Sequence, residues 1–351
     1  SRTLAAGSDI ENIELTGTAS ANAIGKSRVN VLKGNSGNNL LEGGGGADTF
    51  FGGAGDDTYV VGTAAHVVKI TDTGGNDTIV SNVSVELTDG LGNVVFPGLE
   101  NITLTGAGVA SATGNSGKNV LIGNAANSTL LGGGGGDVLD PGTGGTDYLS
   151  GGLGDDTYVL AARSDLNLAL REYTGEGTDT VTSTIKWTLP QNLFYFENLT
   201  LLGTANISGT GNWQNNVIIG NSGNNVLNGR GGLDVLTGGA GSDSFLFVTL
   251  VDIWRNRATI TDFSVADDTM RLENAVFTEF STYLWGMTLR AEAFWSSTTG
   301  LAHDANDRII YNTATGILTY DTNGNVAGGV LGDIAKLAPN LALTNADFMI
   351  V

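Results

Sequence analysis

Gly43-Gly44-Gly45-Gly46-Ala47-Asp48-Thr49-Phe50-Phe51 runs without a break into Gly52-Gly53-Ala54-Gly55-Asp56-Asp57-Thr58-Tyr59-Val60. Both stretches have the form G-G-x-G-x-D-x-U-x, with U apolar. The register extends far beyond them. Units begin at Gly25, Gly34, Gly43 and Gly52, at Gly114, Gly123, Gly132, Gly142 and Gly151, and at Gly211, Gly220, Gly229 and Gly238. Their eighth positions are Leu32, Leu41, Phe50, Tyr59, Leu121, Leu130, Leu139, Leu149, Tyr158, Ile218, Leu227, Leu236 and Phe245. All thirteen are apolar in a chain that is 40% apolar, so composition does not explain them. Pro141 is one inserted residue, the single slip in the count.

The letters of the unit carry their own physics. Glycines at the first, second and fourth positions let the backbone turn tightly, with positive φ available at little steric cost. They also leave carbonyl oxygens uncovered. The residues around the eighth position run as a very short strand with one side chain facing inward. One unit cannot bury that side chain, whereas stacked units can, so such a fold exists only as an array. Each buried Leu, Phe or Tyr contributes roughly 1.5–3 kcal/mol. Ordering nine glycine-rich residues costs about 1–2 kcal/mol apiece. Something further must hold the loops.

The sixth position suggests what. In order it reads Asn30, Asn39, Asp48, Asp57; Asn119, Ser128, Asp137, Asp147, Asp156; Asn216, Asn225, Asp234, Asp243. Every block opens neutral and closes on carboxylates. A hard cation takes six to eight oxygens from carboxylates and backbone carbonyls. The pattern therefore predicts several Ca2+ ions at the end of each block and neutral hydrogen-bonded Asn ladders at its start. Turn preference for Asp and Asn alone would not set this order. The expected ligands are Gly44, Gly46, Asp48, Gly53, Gly55 and Asp57; Gly133, Gly135, Asp137, Gly145, Asp147, Gly152, Gly154 and Asp156; and Gly232, Asp234, Gly239, Gly241 and Asp243.

Charge and composition narrow the class. With 36 acidic and 16 basic residues the net charge is −20, opposite to the basic footprint of a nucleic-acid binder. Such a surplus repels itself unless cations neutralise it. Cysteine is absent, so no disulfide framework exists. No stretch approaches the roughly 18 apolar residues of a membrane span, and the first residues lack the basic-then-apolar pattern of a signal peptide.

A longer repeat is superimposed. Glu11-Asn12-Ile13-Glu14-Leu15-Thr16-Gly17, Glu100-Asn101-Ile102-Thr103-Leu104-Thr105-Gly106 and Glu197-Asn198-Leu199-Thr200-Leu201-Leu202-Gly203 mark three blocks, about 11–98, 99–195 and 196–250. The connectors hold degenerate turns, Gly75-Asn76-Asp77-Thr78-Ile79 and Gly177-Thr178-Asp179-Thr180-Val181, and read as strand. The expected fold is all-β: a parallel β-roll or β-helix solenoid over 1–250 in three calcium-binding blocks, with a non-repeating β-rich cap over 251–351. Three of the five tryptophans, Trp254, Trp285 and Trp295, lie in that last segment. Strands are expected at Arg308–Tyr311 and Gly316–Asp321 around a hairpin loop, and short helices at Ala291–Trp295 and at Thr344–Phe348 with Thr344 as N-cap. Trp213, Tyr173 and Trp187 read as buried or capping aromatics rather than a glycan platform.

On these motifs the chain resembles the RTX calcium-binding proteins exported by type I secretion. The repeat resemblance covers roughly residues 11–250. Residues 257–351 resemble the terminal secretion-target region, through Ile260-Thr261-Asp262-Phe263, Asp267-Asp268-Thr269-Met270 and Asp347-Phe348-Met349-Ile350-Val351. The resemblance implies an uncleaved C-terminal signal, export unfolded from a Gram-negative bacterium, and folding in extracellular calcium. It also implies that two nonapeptides make one coil, pairing the Gly34 unit with Gly52, Gly132 with Gly151 and Gly220 with Gly238. Arg28, Ala126 and Gln214 at the fourth position, and Ser128 at the sixth, depart from the family pattern.

Catalytic signatures are missing. His66 and His303 are the only histidines, and neither forms H-E-x-x-H. There is no G-x-S-x-G elbow. Asp56-Asp57 and Asp155-Asp156 read as turn or calcium carboxylates, and Asp321-Thr322-Asn323-Gly324-Asn325 as a hairpin turn because its glycine is misplaced for an EF-hand. The expectation is a non-enzymatic, secreted or cell-surface structural or adhesive protein. Its partners would be calcium, the type I secretion machinery, and further copies of itself or a surface glycan. The alternative is the folding and export module of an enzyme whose catalytic domain lies upstream of Ser1.

Overall fold

Very short strands centred on the eighth positions are the building elements, and they pair two units apart. The structure is a computed structural model, and it describes the chain apart from residues 6, 8, 63–68, 89–94, 97, 161–167, 192–194, 249–256 and 327–330. His66 and Trp254 lie outside the described residues. The chain divides into two compact units, Ser1–Asp179 and Thr180–Val351.

In the first unit, Asn22–Ile24, Leu40–Glu42, Thr58–Val61, Thr78–Ser81, Asn101–Leu104, Val120–Ile122, Val138–Asp140 and Thr157–Leu160 form one parallel ladder. The intervening units supply the opposite side in two ladders. One runs from Asn12–Glu14 through Val31–Lys33 and Thr49–Phe51 to Lys69–Thr71. The other runs from Val85–Glu86 through Ala110–Thr113, Ser128–Gly134 and Asp147–Leu153 to Leu168–Arg171. Leu41 sits opposite Tyr59, and Leu32 opposite Phe50, each 18 positions on. Two nonapeptides therefore make one coil. Pro141 is absorbed as a 19-residue step, Leu130 pairing with Leu149.

The second unit repeats the plan. Thr180–Ser183, Asn198–Leu201, Val217–Ile219, Val235–Thr237, Ala258–Ile260 and Leu331–Lys336 form one parallel ladder. Trp187–Thr188, Ser208–Thr210, Val226–Asn228, Ser244–Phe247, Thr269–Leu272 and Phe348–Ile350 form the other. The parallel rungs thus persist beyond the last nonapeptide. Only then does the pairing turn antiparallel, with Ile309–Asn312 against Ile317–Asp321 and the latter against Leu331–Lys336. The hairpin expected from the sequence is there. The two short helices are not: Ala291–Ala293 and Asn345–Asp347 are single 3-10 turns, each leading into a strand. Thr344 does cap the second, its hydroxyl accepting from the Ala346 N–H. Three residues close one turn, and the alternating apolar positions that follow favour sheet over helix.

The core is one side chain wide on each face. All thirteen eighth-position side chains are buried, as are Ile79 and Val181 in the connectors and Ile260 and Met270 beyond the last array. Across the core, Phe50 and Tyr59 meet edge-on at 5.9 Å. Because every coil contributes so few apolar groups, each should count heavily. Leu139→Ala, at a fully buried rung, is expected to lower unfolding free energy in saturating calcium by about 2–5 kcal/mol. Leu153→Ala, 63% exposed in the same unit, should stay within about 0.5 kcal/mol. Urea titration compares them, and equal losses would contradict this core.

Candidate metal centre

The turns fall into two chemical kinds, and the sixth residue decides which. Where it is asparagine, the turn satisfies itself. Asn39 Oδ1 accepts from the Asn35 N–H at 2.7 Å, and its Nδ2 donates to the Ala21 carbonyl one coil back at 3.0 Å. Asn119 does the same with the Asn115 N–H and the Glu100 carbonyl. Asn225 repeats it with the Asn221 N–H and the Ile207 carbonyl. The neutral ladders expected at the block starts exist. The Ser128 turn is a weaker version, its Oγ accepting from the Asn124 N–H at 3.2 Å.

Where the sixth residue is aspartate, one oxygen serves the coil before. The Oδ1 atoms of Asp48, Asp57, Asp137, Asp147, Asp156, Asp234 and Asp243 accept from the N–H groups of Asn30, Asn39, Asn119, Ser128, Asp137, Asn216 and Asn225, at 2.6–2.8 Å. In all of these but Asp147 the second oxygen lies beside the first glycine of its own unit. In Asp57, Asp137, Asp156 and Asp243 that oxygen is buried without any hydrogen-bond partner. Native interiors seldom leave such an acceptor unpaired, since its desolvation costs about 1–3 kcal/mol or more when charged.

The glycines complete the setting. Gly44, Gly46, Gly53, Gly55, Gly133, Gly135, Gly145, Gly152, Gly154, Gly232, Gly239 and Gly241 all have φ between 78° and 127°. Side-chain-bearing residues seldom adopt that region. Arg230 is one that does, holding the second position of its unit at φ 67°. First-position glycines lie close against the glycine carbonyl one coil on. A Cβ on Gly132 would lie 2.5 Å from the Gly151 carbonyl oxygen, and one on Gly25 2.6 Å from that of Gly43. The turns of Asp57, Asp137, Asp156 and Asp243 therefore offer carbonyl oxygens beside an unpaired carboxylate oxygen, a donor set suited to a hard divalent cation. The expected unit pairs, Gly34 with Gly52, Gly132 with Gly151 and Gly220 with Gly238, are brought together.

The structure adds carboxylates that the repeat pattern does not mark as ligands. Asp77 Oδ1 accepts from the Asp57 N–H, Asp179 Oδ1 from the Asp156 N–H and Asp268 Oδ1 from the Asp243 N–H. Each is a sixth position in a degenerate coil, signalled by Asp77-Thr78-Ile79, Asp179-Thr180-Val181 and Asp268-Thr269-Met270. Asp72, Glu172 and Asp262 stand over the first glycine of the preceding coil, and nothing in the nonapeptide pattern announces them. Outside these edges, His303 Nδ1 lies 2.8 Å from Asp307 Oδ2, and the imidazole stacks on Trp295. Trp213 and Tyr173, expected to be buried or capping, are instead about half exposed at 56% and 47%. Each occupies an outward-facing turn position, Trp213 lying against the Gly231 backbone and Tyr173 under the Arg171 guanidinium.

Burial dominates the electrostatics. It pushes the carboxyl of Asp57 up to about 6, and those of Asp77, Asp137, Asp156 and Asp234 up to about 7. Burial and then the Asp179 and Asp156 charges push Glu172 up to about 9. Asp243 and Asp268 are raised for the same first reason. Without a counter-ion these folded carboxyls hold protons below about pH 6.

With this geometry in hand, the comparisons agree. Residues 24–59, 113–144, 141–158 and 210–245 match the RTX calcium-binding nonapeptide repeat, in four copies. The chain is thus an RTX-repeat chain whose repeats are of the calcium-binding kind. It is also similar to the endo-1,3-1,4-beta-glycanase ExsH of Rhizobium meliloti (strain 1021), at 39% identity over 92 residues. That match covers 26% of this chain and 18% of the relative, so the two share only a part.

A pH dependence follows. The folded carboxyls at about 6 to 7 lie above their unfolded value of 3.8, so between about pH 4 and 7 the folded chain keeps protons that the unfolded chain releases. Stability without metal must then fall as pH rises through that window. In calcium-free buffer a thermal unfolding transition is expected at pH 4.5 that weakens and is lost towards pH 8. Saturating calcium at pH 8 should restore it. A calcium-free protein more stable at pH 8 would contradict the assignment.

Proposed function

We propose that this protein is secreted unfolded, folds when it meets calcium outside the cell, and works as a rigid structural or adhesive solenoid capable of self-association. The observation that carries the reading is the set of buried aspartate oxygens without partners at the ends of the arrays, Asp57, Asp137, Asp156 and Asp243. Bound calcium would supply positive charge and further coordination there. The chain's own part is to hold Oδ1 against a backbone N–H, aim Oδ2 into the turn, and stack glycine carbonyls beside it. The ligands we assign are the Asp residues and glycine carbonyls named from the sequence, joined by Asp77, Asp179 and Asp268.

Secretion before folding has a structural motive. The segment read as an export signal is buried in the fold: Phe348 and Ile350 have no exposure, and Phe348–Ile350 pairs with Thr269–Leu272. An export machine could read it only in the unfolded chain. Extracellular calcium modules bind with Kd of about 10⁻⁴–10⁻³ M, which leaves them empty in the cytosol. Each site at 100 times its Kd adds about 2.7 kcal/mol, so several can decide folding. No catalytic role is assigned to these residues.

The ExsH similarity favours a second reading, in which this chain is the folding and export module of a larger secreted enzyme such as a glycanase. One titration separates the two readings and tests what they share. Circular dichroism should pass from disordered to β on adding calcium, and light scattering of the calcium form should grow with concentration. A fully folded spectrum in excess chelator at pH 8 would remove both readings. A folded but strictly monomeric calcium form would leave the export-module reading standing.

A further inference from the structure

Two carboxylate groups stand one coil beyond the last repeat of the first and second arrays. In the first, Asp57, Asp72 and Asp77 place ligand oxygens within 4.8 Å of one another, and Asp156, Glu172 and Asp179 do the same in the second. The two groups correspond rung by rung. Phe51 pairs with Thr71, which sets Asp72 over Gly52, and Ser150 pairs with Arg171, which sets Glu172 over Gly151. Tyr59 donates its hydroxyl to Asp72, and Tyr158 donates its own to Glu172.

Such a group is expensive without a counter-ion. Asp57, Asp77, Asp156 and Glu172 are at most 1% exposed. Asp57 Oδ2, Asp77 Oδ2, Asp156 Oδ2 and Glu172 Oε2 have no hydrogen-bond partner. The charges raising the affinity of these four for protons are all carboxylates. One tyrosine hydroxyl per group cannot neutralise three acids.

The third array supplies an internal contrast. Asp262 stands where Asp72 and Glu172 stand, but its two oxygens accept from the Gly238 and Gly239 N–H groups, each at 2.8 Å. Phe245 replaces the tyrosine. Asp268 is likewise satisfied, through the Asp243 and Ser264 N–H groups. At that exit the two added acids are paired by backbone N–H groups, and Asp243 Oδ2 alone is left without a partner.

We propose that the exits of the first two arrays are dedicated divalent-cation sites, formed by Asp57, Asp72 and Asp77 and by Asp156, Glu172 and Asp179 and lidded by Tyr59 and Tyr158, which fill ahead of the turns within the arrays. Three carboxylates gather at each of these exits, whereas among the described residues no turn within an array gathers three, and affinity rises with ligand charge. The first ions therefore anchor the last coil of each array, against which preceding coils stack. This rests on the calcium reading of the repeats.

The full chain tests it. Calcium calorimetry should resolve a tight class of two ions per chain ahead of weaker ones. Asp72→Asn with Glu172→Gln should weaken that class at least tenfold while the weaker ions still bind, and Glu292→Gln, an exposed acid elsewhere, should leave it unchanged. Terbium titration of Tyr59→Phe with Tyr158→Phe covers the case in which the acid variant does not fold, because Phe245 shows that phenylalanine suits this position. The first equivalents should then lose most of their tyrosine-sensitised emission. A tight class untouched by D72N/E172Q, or unchanged early emission in Y59F/Y158F, overturns the exit sites while calcium-driven folding stands. A wild-type protein that binds no calcium removes both.

Discussion

One contact organises everything else: an aspartate at the sixth position gives one oxygen to the backbone N–H of its counterpart one coil earlier and leaves the other inside the turn. The first half fixes the coil-to-coil register along the edge, as between Asp137 and Asn119 or Asp234 and Asn216. The second half leaves, in Asp57, Asp137, Asp156 and Asp243, a buried carboxylate oxygen with no protein partner. A fold with so thin a core, one apolar side chain per unit, has little surplus with which to absorb that penalty. A bound cation would offset it, which is how the proposed function couples folding to calcium.

The order of residues within an array has a physical reason. Asparagine has both a donor and an acceptor, so it can close its own turn and reach back one coil, as Asn39 does through Oδ1 and Nδ2. Aspartate has only acceptors. Neutral turns at the start of an array close on their own hydrogen bonds, while the acidic end leaves carboxylate oxygens for a cation or a proton to satisfy. Each array thus carries a self-sufficient end and a conditional one, and the conditional end adjoins the connector.

Much of this was legible in the letters. A fixed register put every eighth-position side chain in the core, and the Asn-to-Asp order marked which turns are self-satisfied. What escaped notice lies where the period breaks. Successive sixth positions are 18 residues apart from Asn39 to Asp57, but 20 from Asp57 to Asp77, 23 from Asp156 to Asp179 and 25 from Asp243 to Asp268. The extra residues displace Asp72 and Glu172 from any constant-period reading, although three-dimensional pairing sets them over a glycine. The same limit hid the continued parallel rungs at Ala258–Ile260 and Thr269–Leu272. Short apolar runs near Trp295 and Phe348 suit helix and strand equally in sequence, and neighbouring strands decide the matter.

The decisive measurement is anomalous diffraction from crystals grown in calcium. The account predicts peaks about 2.3–2.6 Å from the Oδ2 atoms of Asp57, Asp137, Asp156 and Asp243, and none at the turns of Asn39, Asn119 and Asn225. Those aspartate oxygens bound only by water or protein donors, with no anomalous signal beside them, would contradict it.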